Sequence, residues 1–278
     1  MASCNVCFRK CEIREGSTGF CGVRSCRDGK VVCDNYGRVT SLALDPIEKK
    51  PLRRYYPGSA VLSVGSFGCN LRCPFCQNHE ISWSEESFVY GKKAEKFSPE
   101  DILRAALSCA DRGNIGVAYT YNEPLVGYEF VRDCAKLIRD AGMKNVMVTN
   151  GTASVDVLEE LLPYIDAMNI DLKGFSEEYY RKTLGGSLEM VKEFIERAAW
   201  GCHVELTTLI VPGENDSLEE MERMSSWIAG LDSEIPYHIS RFFPGFHMTD
   251  RQATDVRLVY ELAEVAKKKL KYVYTGNC

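Results

Sequence analysis

Three closely spaced cysteines are the residues of this sequence best suited to chemistry. Cys69, Cys73 and Cys76 form a C-x3-C-x2-C pattern within GCNLRCPFCQN at 68–78. Three thiolates on one loop can each bind one iron of a [4Fe–4S] cube, which leaves the fourth iron open to an external ligand. The spacing therefore predicts an iron–sulfur site that keeps one coordination position free of protein.

Zinc and simple redox motifs use related spacings. A structural zinc site normally has four protein ligands, in pairs that are separated by a longer loop. A thioredoxin-type motif has one CxxC that opens a helix and has no counterpart of Cys69. The spacing favours the cluster and leaves zinc open as an alternative. The sequence lacks HExxH, GxxxxGK[ST] and GxSxG, which argues against a zinc hydrolase and other common hydrolases.

A second group of cysteines lies near the N-terminus. Nine of the 13 cysteines occur in the first 76 residues, and Cys4, Cys7, Cys11 and Cys21 form C-x2-C-x3-C-x9-C. In a reducing compartment, such clustering indicates metal or cluster ligation rather than disulfides. We interpret this group as a possible second site, which holds zinc or another iron–sulfur cluster. A closed structural metal site is favoured over a cluster that relays electrons, and free thiols are the third alternative.

Charge and hydropathy restrict the partners. The chain has 34 basic and 39 acidic residues among 278, a net charge of −5, which argues against a sequence-independent grip on nucleic acid. Residues 1–10 have no apolar segment typical of a secretory signal, and no apolar run approaches the roughly 20 residues of a membrane span. We expect a cytoplasmic protein without a nucleic-acid or membrane partner.

A repeated rhythm of strands and helices must position the cysteine loop. We expect a small Cys-rich N-terminal module and connector at 1–58, followed by a barrel domain at 59–278. Strands are predicted at 61–66, 115–119, 145–149, 167–172, 203–211, 236–240 and 272–274. Helices are predicted at 99–112, 127–141, 154–162, 188–200, 217–231 and 255–269. Six strand–helix repeats indicate an α/β fold, a partial (βα)6-type TIM barrel whose chemistry lies at the carboxyl ends of the strands.

The motifs resemble those of a known family. C-x3-C-x-F-C at 69–76 resembles the signature of the radical S-adenosylmethionine (SAM) superfamily, in the branch related to pyruvate formate-lyase activating enzymes. The whole chain resembles the radical enzyme of the AmmeMemoRadiSam system. That resemblance includes DPIEKKPL at 45–52, YTYNEP at 119–124, VTNG at 148–151, NIDLK at 169–173 and HISRFFP at 238–244.

The resemblance implies contacts to S-adenosylmethionine from strand ends. It implies that Asn122 and Glu123 receive the amino group of the methionine moiety. Thr149 and Asn150 follow the next strand and are further candidates for polar contacts. An acidic helix N-terminus at Glu123, or a simple turn at 148–151, is the alternative reading of these motifs.

Other contacts are implied on later strands. Asp171 is expected at the ribose hydroxyls, Lys173 at the methionine carboxylate, and His238 at the carboxylate or ribose. Phe75, which precedes the last cysteine of the loop, is expected beside the cofactor. The alternative readings are an exposed Asp171–Lys173 ion pair and a histidine satisfied within the core.

The implied activity is reductive cleavage of S-adenosylmethionine to methionine and a 5′-deoxyadenosyl radical, which abstracts hydrogen from a small-molecule or protein substrate. One version activates a glycyl-radical enzyme, as pyruvate formate-lyase activating enzymes do. The implied partners are an electron donor such as flavodoxin or ferredoxin and other proteins of the AmmeMemoRadiSam system. A non-catalytic iron–sulfur or zinc protein that carries electrons is the alternative of another class.

Overall fold

The cysteine-rich N-terminal segment folds into short antiparallel pairs. The computed structural model describes residues 1–278. The strands of this segment are β1 (Ala2–Ser3), β2 (Glu12–Ile13), β3 (Arg24–Arg27), β4 (Lys30–Cys33) and β5 (Arg38–Val39). β1 pairs with β2 and β3 pairs with β4, both antiparallel. Ladders this short bury little surface, so bound metal would add stability to the segment.

A sheet of eight strands forms the core of the molecule. Its strands are β6 (Ser41–Pro46), β7 (Ala60–Gly65), β9 (Asn114–Tyr119), β10 (Lys144–Thr149), β11 (Ala167–Asp171), β12 (His203–Ile210), β13 (Tyr237–Arg241) and β14 (Val273–Gly276). The order is β14-β13-β12-β11-β10-β9-β7-β6, and β8 (Glu95–Lys96) pairs with β5 instead. Every pair is parallel except β6 with β7. The sheet does not close between β6 and β14, which confirms the predicted partial α/β barrel.

Helices cover the outer face of the sheet. They are α1 (His79–Ser82), α2 (Glu85–Lys93), α3 (Pro99–Leu107), α4 (Tyr128–Asp140), α5 (Val155–Leu161), α6 (Glu177–Tyr179), α7 (Leu188–Gly201), α8 (Leu218–Leu231) and α9 (Val256–Lys267). Ser98 and Asp101 form a reciprocal capping box at the start of α3, and Ser217 caps α8. The six predicted helices are present, whereas α1, α2 and α6 were not predicted. No helix of the fold has the length and apolar character that crossing a bilayer requires.

The edge strand β6 belongs to the barrel rather than to the N-terminal module. It pairs with β7 along its whole length, from Ser41 opposite Gly65 to Pro46 opposite Ala60. The predicted boundary between residues 58 and 59 separates these two paired strands. We therefore propose a boundary near residue 40.

The connector after β6 closes the lower, amino-terminal end of the barrel. Ile47 and Leu52 are fully buried and pack against inward-facing residues, which are Val61, Ala118, Val146 and Ala167. The amide of Asn169 donates to the Pro51 carbonyl at 2.9 Å. Residues 47–54 therefore form a plug at this end of the barrel. The plug contains most of the DPIEKKPL motif at 45–52, which gives that motif a structural role.

A buried carboxylate ties the plug to the strands. Glu205 of β12 accepts from the backbone N–H groups of Arg53 (2.9 Å) and Arg54 (2.7 Å). Its side chain is 0 % exposed, and it also contacts His203 (3.0 Å) and His238 (2.6 Å) through their Nε2 atoms. Burial alone would raise the pKa of Glu205, but these four hydrogen bonds outweigh it and lower the pKa to about 2.

Glu205 is therefore expected to make the fold acid-sensitive. Its folded pKa lies below the ordinary 4.5, so its stabilisation is present above that pH and is lost as pH falls toward about 2. That difference in pKa corresponds to about 3 kcal/mol. Urea unfolding at a series of acidic pH values should show a steeper loss of stability in the wild type than in Glu205→Gln. Equal slopes for the two proteins would contradict the assignment.

Candidate functional site

The three-cysteine loop begins where β7 ends, at Gly65, and a buried amide holds it in place. The side chain of Asn122 accepts from the N–H of Ser66 at 2.9 Å and donates to the carbonyls of Phe67 and Gly68 at 3.1 Å. All of its polar atoms are thereby used on the loop. Asn122 therefore lies beside the cysteine loop, and its contacts in the structure are those of a loop clamp.

The three thiols of the loop lie near one another, Cys73 buried and Cys69 and Cys76 partly exposed. Burial raises the pKa of each thiol, to about 12 for Cys73, and neighbouring thiols add to the rise at Cys69 and Cys73. The ammonium of Lys173 opposes it at Cys73 and Cys76. Phe75 is also buried and packs edge-to-face on Phe242, with ring centroids 6.2 Å apart. These raised pKa values mean that ionising the thiols costs free energy in the absence of metal. Metal binding would displace the thiol protons and offset that cost.

Asp171 and Lys173 form an ion pair at the carboxyl end of β11. Lys173 Nζ lies 2.8 Å from Asp171 Oδ2, and the pair lies close enough to Cys73 to influence its titration. The hydroxyl of Tyr180, which the sequence did not single out, accepts from the Lys173 backbone N–H at 2.9 Å. A carboxylate and an ammonium therefore stand beside the thiols, on a rigid strand end.

Glu123 is a buried carboxylate whose partners come from the chain itself. It accepts from the Thr149 hydroxyl at 2.6 Å, the Asn150 N–H at 2.8 Å and the Leu125 N–H at 3.1 Å. Burial raises its pKa to about 7, although these hydrogen bonds oppose the rise. Glu123 thus joins the strand ends of β9 and β10 beneath the cysteine loop.

Asn150 connects this network to a thiol. Its Nδ2 donates to Asn70 Oδ1 at 3.0 Å and lies 3.7 Å from Cys69 Sγ, within hydrogen-bond range for sulfur. Its Oδ1 accepts from the N–H of Thr152 at 2.9 Å. Sequence reasoning missed Asn70, which is fully buried and donates to the Thr152 carbonyl. Its position beside the first cysteine was the available signal.

Comparison with known proteins gives this site a family. A family model described as the radical SAM superfamily matches residues 63–226, which is more than half of the chain. The chain belongs to the radical SAM superfamily. It is 40% identical over 280 residues to the protein MJ0808 of Methanocaldococcus jannaschii, covering 99% of this chain and 80% of that protein. It is 27% identical over 191 residues to the pyruvate formate-lyase-activating enzyme of Clostridium pasteurianum, covering 65% and 77%.

A solved structure shares the fold of this radical SAM enzyme. Streptococcus suis SuiB bound to S-adenosylmethionine superposes with a TM-score of 0.59 at 13% identity, covering 78% of this chain and 52% of that one. Membership of the superfamily implies a [4Fe–4S] cluster and S-adenosylmethionine as cofactors.

The residues present fit these cofactors by the chemistry of their donors. The loop offers three thiols, and no histidine or carboxylate of the loop hydrogen bonds to them. Lys173 and Asp171 offer partners for a carboxylate and a diol. No group of three or more His, Cys, Asp or Glu side chains has the separation of ligands around a single ion, and this applies to both cysteine groups of the radical SAM chain.

The structure assigns His238 to a different place from the predicted one. Its Nε2 lies 2.6 Å from Glu205, its ring stacks on Tyr274 and its side chain is 7% exposed. Because the buried carboxylate beside the plug occupies Nε2, we leave His238 out of the cofactor contacts of the radical SAM site. The alternative of a satisfied core histidine describes it better.

Asn150 is expected to tune the reduction potential of a cluster on Cys69. A hydrogen bond to a ligand sulfur stabilises the more negative, reduced state. One such bond is worth about 0.5–1.5 kcal/mol, or roughly 20–60 mV for a one-electron couple. EPR-monitored titration of Asn150→Ala should show a potential lower by that amount. Asn169→Ala, which removes an amide beside the plug, is the control, and equal potentials in both variants would contradict the prediction.

The four N-terminal cysteines converge in space. Cys4, Cys7, Cys11 and Cys21 line one small cavity, and none is in a disulfide. The Cys4 N–H donates to the Cys11 carbonyl at 2.9 Å, which fixes the separation of these two residues. The structure therefore brings the predicted group together, next to the radical SAM barrel.

A large cleft of about 1110 Å³ lies beside the residues that follow the cysteine loop, and His79, Trp83, Phe246 and His247 are among the residues that line it. The loop after β13 contacts the cysteine loop, because the His247 N–H donates to the Pro74 carbonyl at 2.8 Å. Phe246 stacks on His79 with centroids 4.0 Å apart and contacts Trp83 edge-on. Aromatic side chains thus form one wall of an opening beside the radical SAM loop.

Proposed function

We propose that this radical SAM enzyme cleaves S-adenosylmethionine reductively at the cysteine loop and uses the product to abstract hydrogen from a substrate. The observation that carries the proposal is the placement of three thiols at the carboxyl end of β7, with an ammonium and a carboxylate beside them. When bound there, the cluster and S-adenosylmethionine supply a single electron and a 5′-deoxyadenosyl radical.

Each neighbouring residue has a task in this proposal. Cys69, Cys73 and Cys76 anchor the cluster and leave one iron for the cofactor. Lys173 binds the methionine carboxylate, and its pair with Asp171 opens so that Asp171 accepts from the ribose hydroxyls. Lys173 thereby exchanges one ionic contact for another, and Asp171 exchanges its ion pair for hydrogen bonds from hydroxyls.

A second set of residues holds the cysteine loop and the strand ends in place and takes no part in the reaction itself. Asn122 clamps the loop, while Glu123 and the Thr149 hydroxyl fix the neighbouring strand end. The remaining lone pairs of Glu123 offer acceptors for the methionine ammonium. Asn150 holds Cys69, and Phe75 excludes water from the thiols.

The substrate is proposed to enter through the aromatic-walled cleft, whose size suits a small molecule or a protein segment. Flavodoxin or ferredoxin is the proposed electron donor, other AmmeMemoRadiSam proteins are proposed partners, and the cytoplasm is the proposed compartment. Metal binding by the four N-terminal thiols, as zinc or an iron–sulfur cluster, is part of the same proposal.

A second candidate is activation of a glycyl-radical enzyme. It is supported by relatives named for that activity, including the pyruvate formate-lyase 1-activating enzyme of Escherichia coli K12, which is 26% identical over 182 residues. Under this candidate, a glycine-bearing loop of a partner enzyme would occupy the cleft.

Anaerobic reconstitution tests the proposal. The reconstituted chain, chemically reduced and given S-adenosylmethionine, should release 5′-deoxyadenosine, and its EPR signal should change when S-adenosylmethionine is added. Adding deuterated candidate substrates and following the label into 5′-deoxyadenosine by mass spectrometry would identify the hydrogen donor. A full cluster without either response would favour the non-catalytic electron carrier.

A further inference from the structure

The four-thiol cavity lies directly against the cysteine loop of the barrel. Its wall includes Arg9 and Arg24 in addition to the four cysteines. Arg9 donates from Nε to the Asn70 carbonyl at 3.0 Å and from Nη2 to the Gly185 carbonyl at 2.6 Å. Asn70 is the immediate neighbour of Cys69, so one guanidinium connects the cavity to the loop.

Two further contacts shorten the path between the two groups of thiols. Arg72 donates to the carbonyls of Cys69 at 2.8 Å and Phe20 at 2.5 Å, and Phe20 precedes Cys21. Gly68, with φ of +93°, packs so tightly that an added Cβ would lie 2.9 Å from the Cys21 carbonyl oxygen. The backbones on either side of Cys21 and Cys69 are therefore in contact.

A chain of direct contacts leads from the cavity to the first cysteine of the loop. Cys7 and Arg9 line the same cavity, and Arg9 donates to the Asn70 carbonyl. The side chain of Asn70 accepts from Asn150, whose Nδ2 lies 3.7 Å from Cys69 Sγ.

Part of the four-thiol cavity is open to solvent. Cys7 and Cys11 are partly exposed, as are Cys69 and Cys76 of the loop. Residues 1–40 contain seven Lys and Arg against four Asp and Glu, although Arg24 is buried and paired with Glu129. The remaining excess of positive charge on this segment of an acidic protein attracts an acidic partner and steers its approach.

We propose that Cys4, Cys7, Cys11 and Cys21 hold a second iron–sulfur cluster, through which electrons from an acidic, low-potential donor protein reach the cysteine loop of the barrel. This inference rests on the proposed function. The donor loses one electron, the second cluster carries it, and the cluster on Cys69, Cys73 and Cys76 gains it. Zinc could be bound by the same four thiols, but it does not change its oxidation state. A zinc ion in this site could therefore not pass electrons to the loop.

Metal content gives the first test, on the reconstituted full chain. We expect about eight irons per chain in the wild type and about four in Cys7→Ser/Cys11→Ser, with no stoichiometric zinc. Cys33→Ser is the matched control, because Cys33 belongs to the same segment but donates to Asn35 at 3.0 Å and does not line the cavity. About four irons and one zinc in the wild type would overturn the proposal.

Two spectroscopic and kinetic measurements complete the test. In the fully reduced wild type, the EPR signal should be broadened by coupling between two neighbouring clusters, a result that needs no variant to fold. Stopped-flow reduction of the loop cluster by reduced flavodoxin should slow at least about tenfold in Cys7→Ser/Cys11→Ser, and much less with dithionite. Equal slowing with both reductants, or two uncoupled signals, would count against the relay.

The outcomes separate this proposal from the radical chemistry. If the wild type carries two coupled clusters but dithionite yields no 5′-deoxyadenosine, the proposed function fails and the second site stands. If dithionite yields 5′-deoxyadenosine from a chain with one cluster and one zinc, the proposed function stands and the relay fails.

Discussion

Replacing Cys73 with alanine is expected to abolish both the iron–sulfur cluster on the loop and the release of 5′-deoxyadenosine. Two thiolates cannot hold three corners of the cube, so an iron would lose its only protein ligand. The thiol is 8% exposed and forms no hydrogen bond that another residue needs, so the fold should survive its removal. Iron analysis, the visible absorption spectrum and mass spectrometry of the product measure the effect.

Cys109→Ala is the matched control for this loss. Cys109 lies far along the chain, in the turn after α3, where its only side-chain neighbour of note is the Ser108 hydroxyl at 3.9 Å. This variant should keep its iron and its product. Circular dichroism should show that both variants retain the secondary structure. Full cluster content and cleavage in Cys73→Ala would remove the basis of the proposed function.

Replacing Asp45 with alanine is expected to destabilise the barrel by about 3–5 kcal/mol, because it leaves a buried ammonium without a partner. Lys50 is 2% exposed and its Nζ lies 2.7 Å from Asp45 Oδ2. The same carboxylate accepts from the hydroxyls of Tyr121 at 2.6 Å and Ser63 at 2.8 Å. Although burial raises its pKa, these hydrogen bonds and Lys50 lower the pKa overall, so Asp45 is ionised at neutral pH.

Urea unfolding of the metal-free chain at neutral pH would measure this loss. Glu264→Ala is a suitable control, because Glu264 pairs with Lys267 on the exposed face of α9, where ion pairs contribute little. Asp45→Ala/Lys50→Met should recover part of the stability, since it removes the unpaired charge. If Asp45→Ala is as stable as Glu264→Ala, water reaches Lys50 and the predicted loss of stability is wrong.

The sequence was sufficient for the barrel because each core strand is a short apolar run between amphipathic helices. The antiparallel edge was harder to predict. Strand β6 reads SLALDP and continues directly from β5, so nothing local separates the barrel from the module before it. Helices α1 and α2 were missed because HEIS and EESFVYGKK contain polar residues on most faces, and α6 was missed because it has only three residues.

At the site, sequence patterns located the strand ends but not the partners that occupy each side chain. Asn122 and Glu123 were predicted as contacts to the cofactor, and their contacts in the structure are with the loop and the next strand. His238 was misplaced because strand-end motifs do not reveal the stagger of neighbouring strands. That stagger brings His238 level with Thr207 and within reach of Glu205.

The plug at 47–54 has a consequence for turnover. With the amino-terminal end of the barrel sealed by main-chain hydrogen bonds to Glu205, no ligand passes through the barrel from end to end. We expect spent nucleoside and amino acid to leave from the same end at which the next cofactor molecule binds. Product inhibition by 5′-deoxyadenosine and methionine together is the expected kinetic signature of such a dead-end chamber.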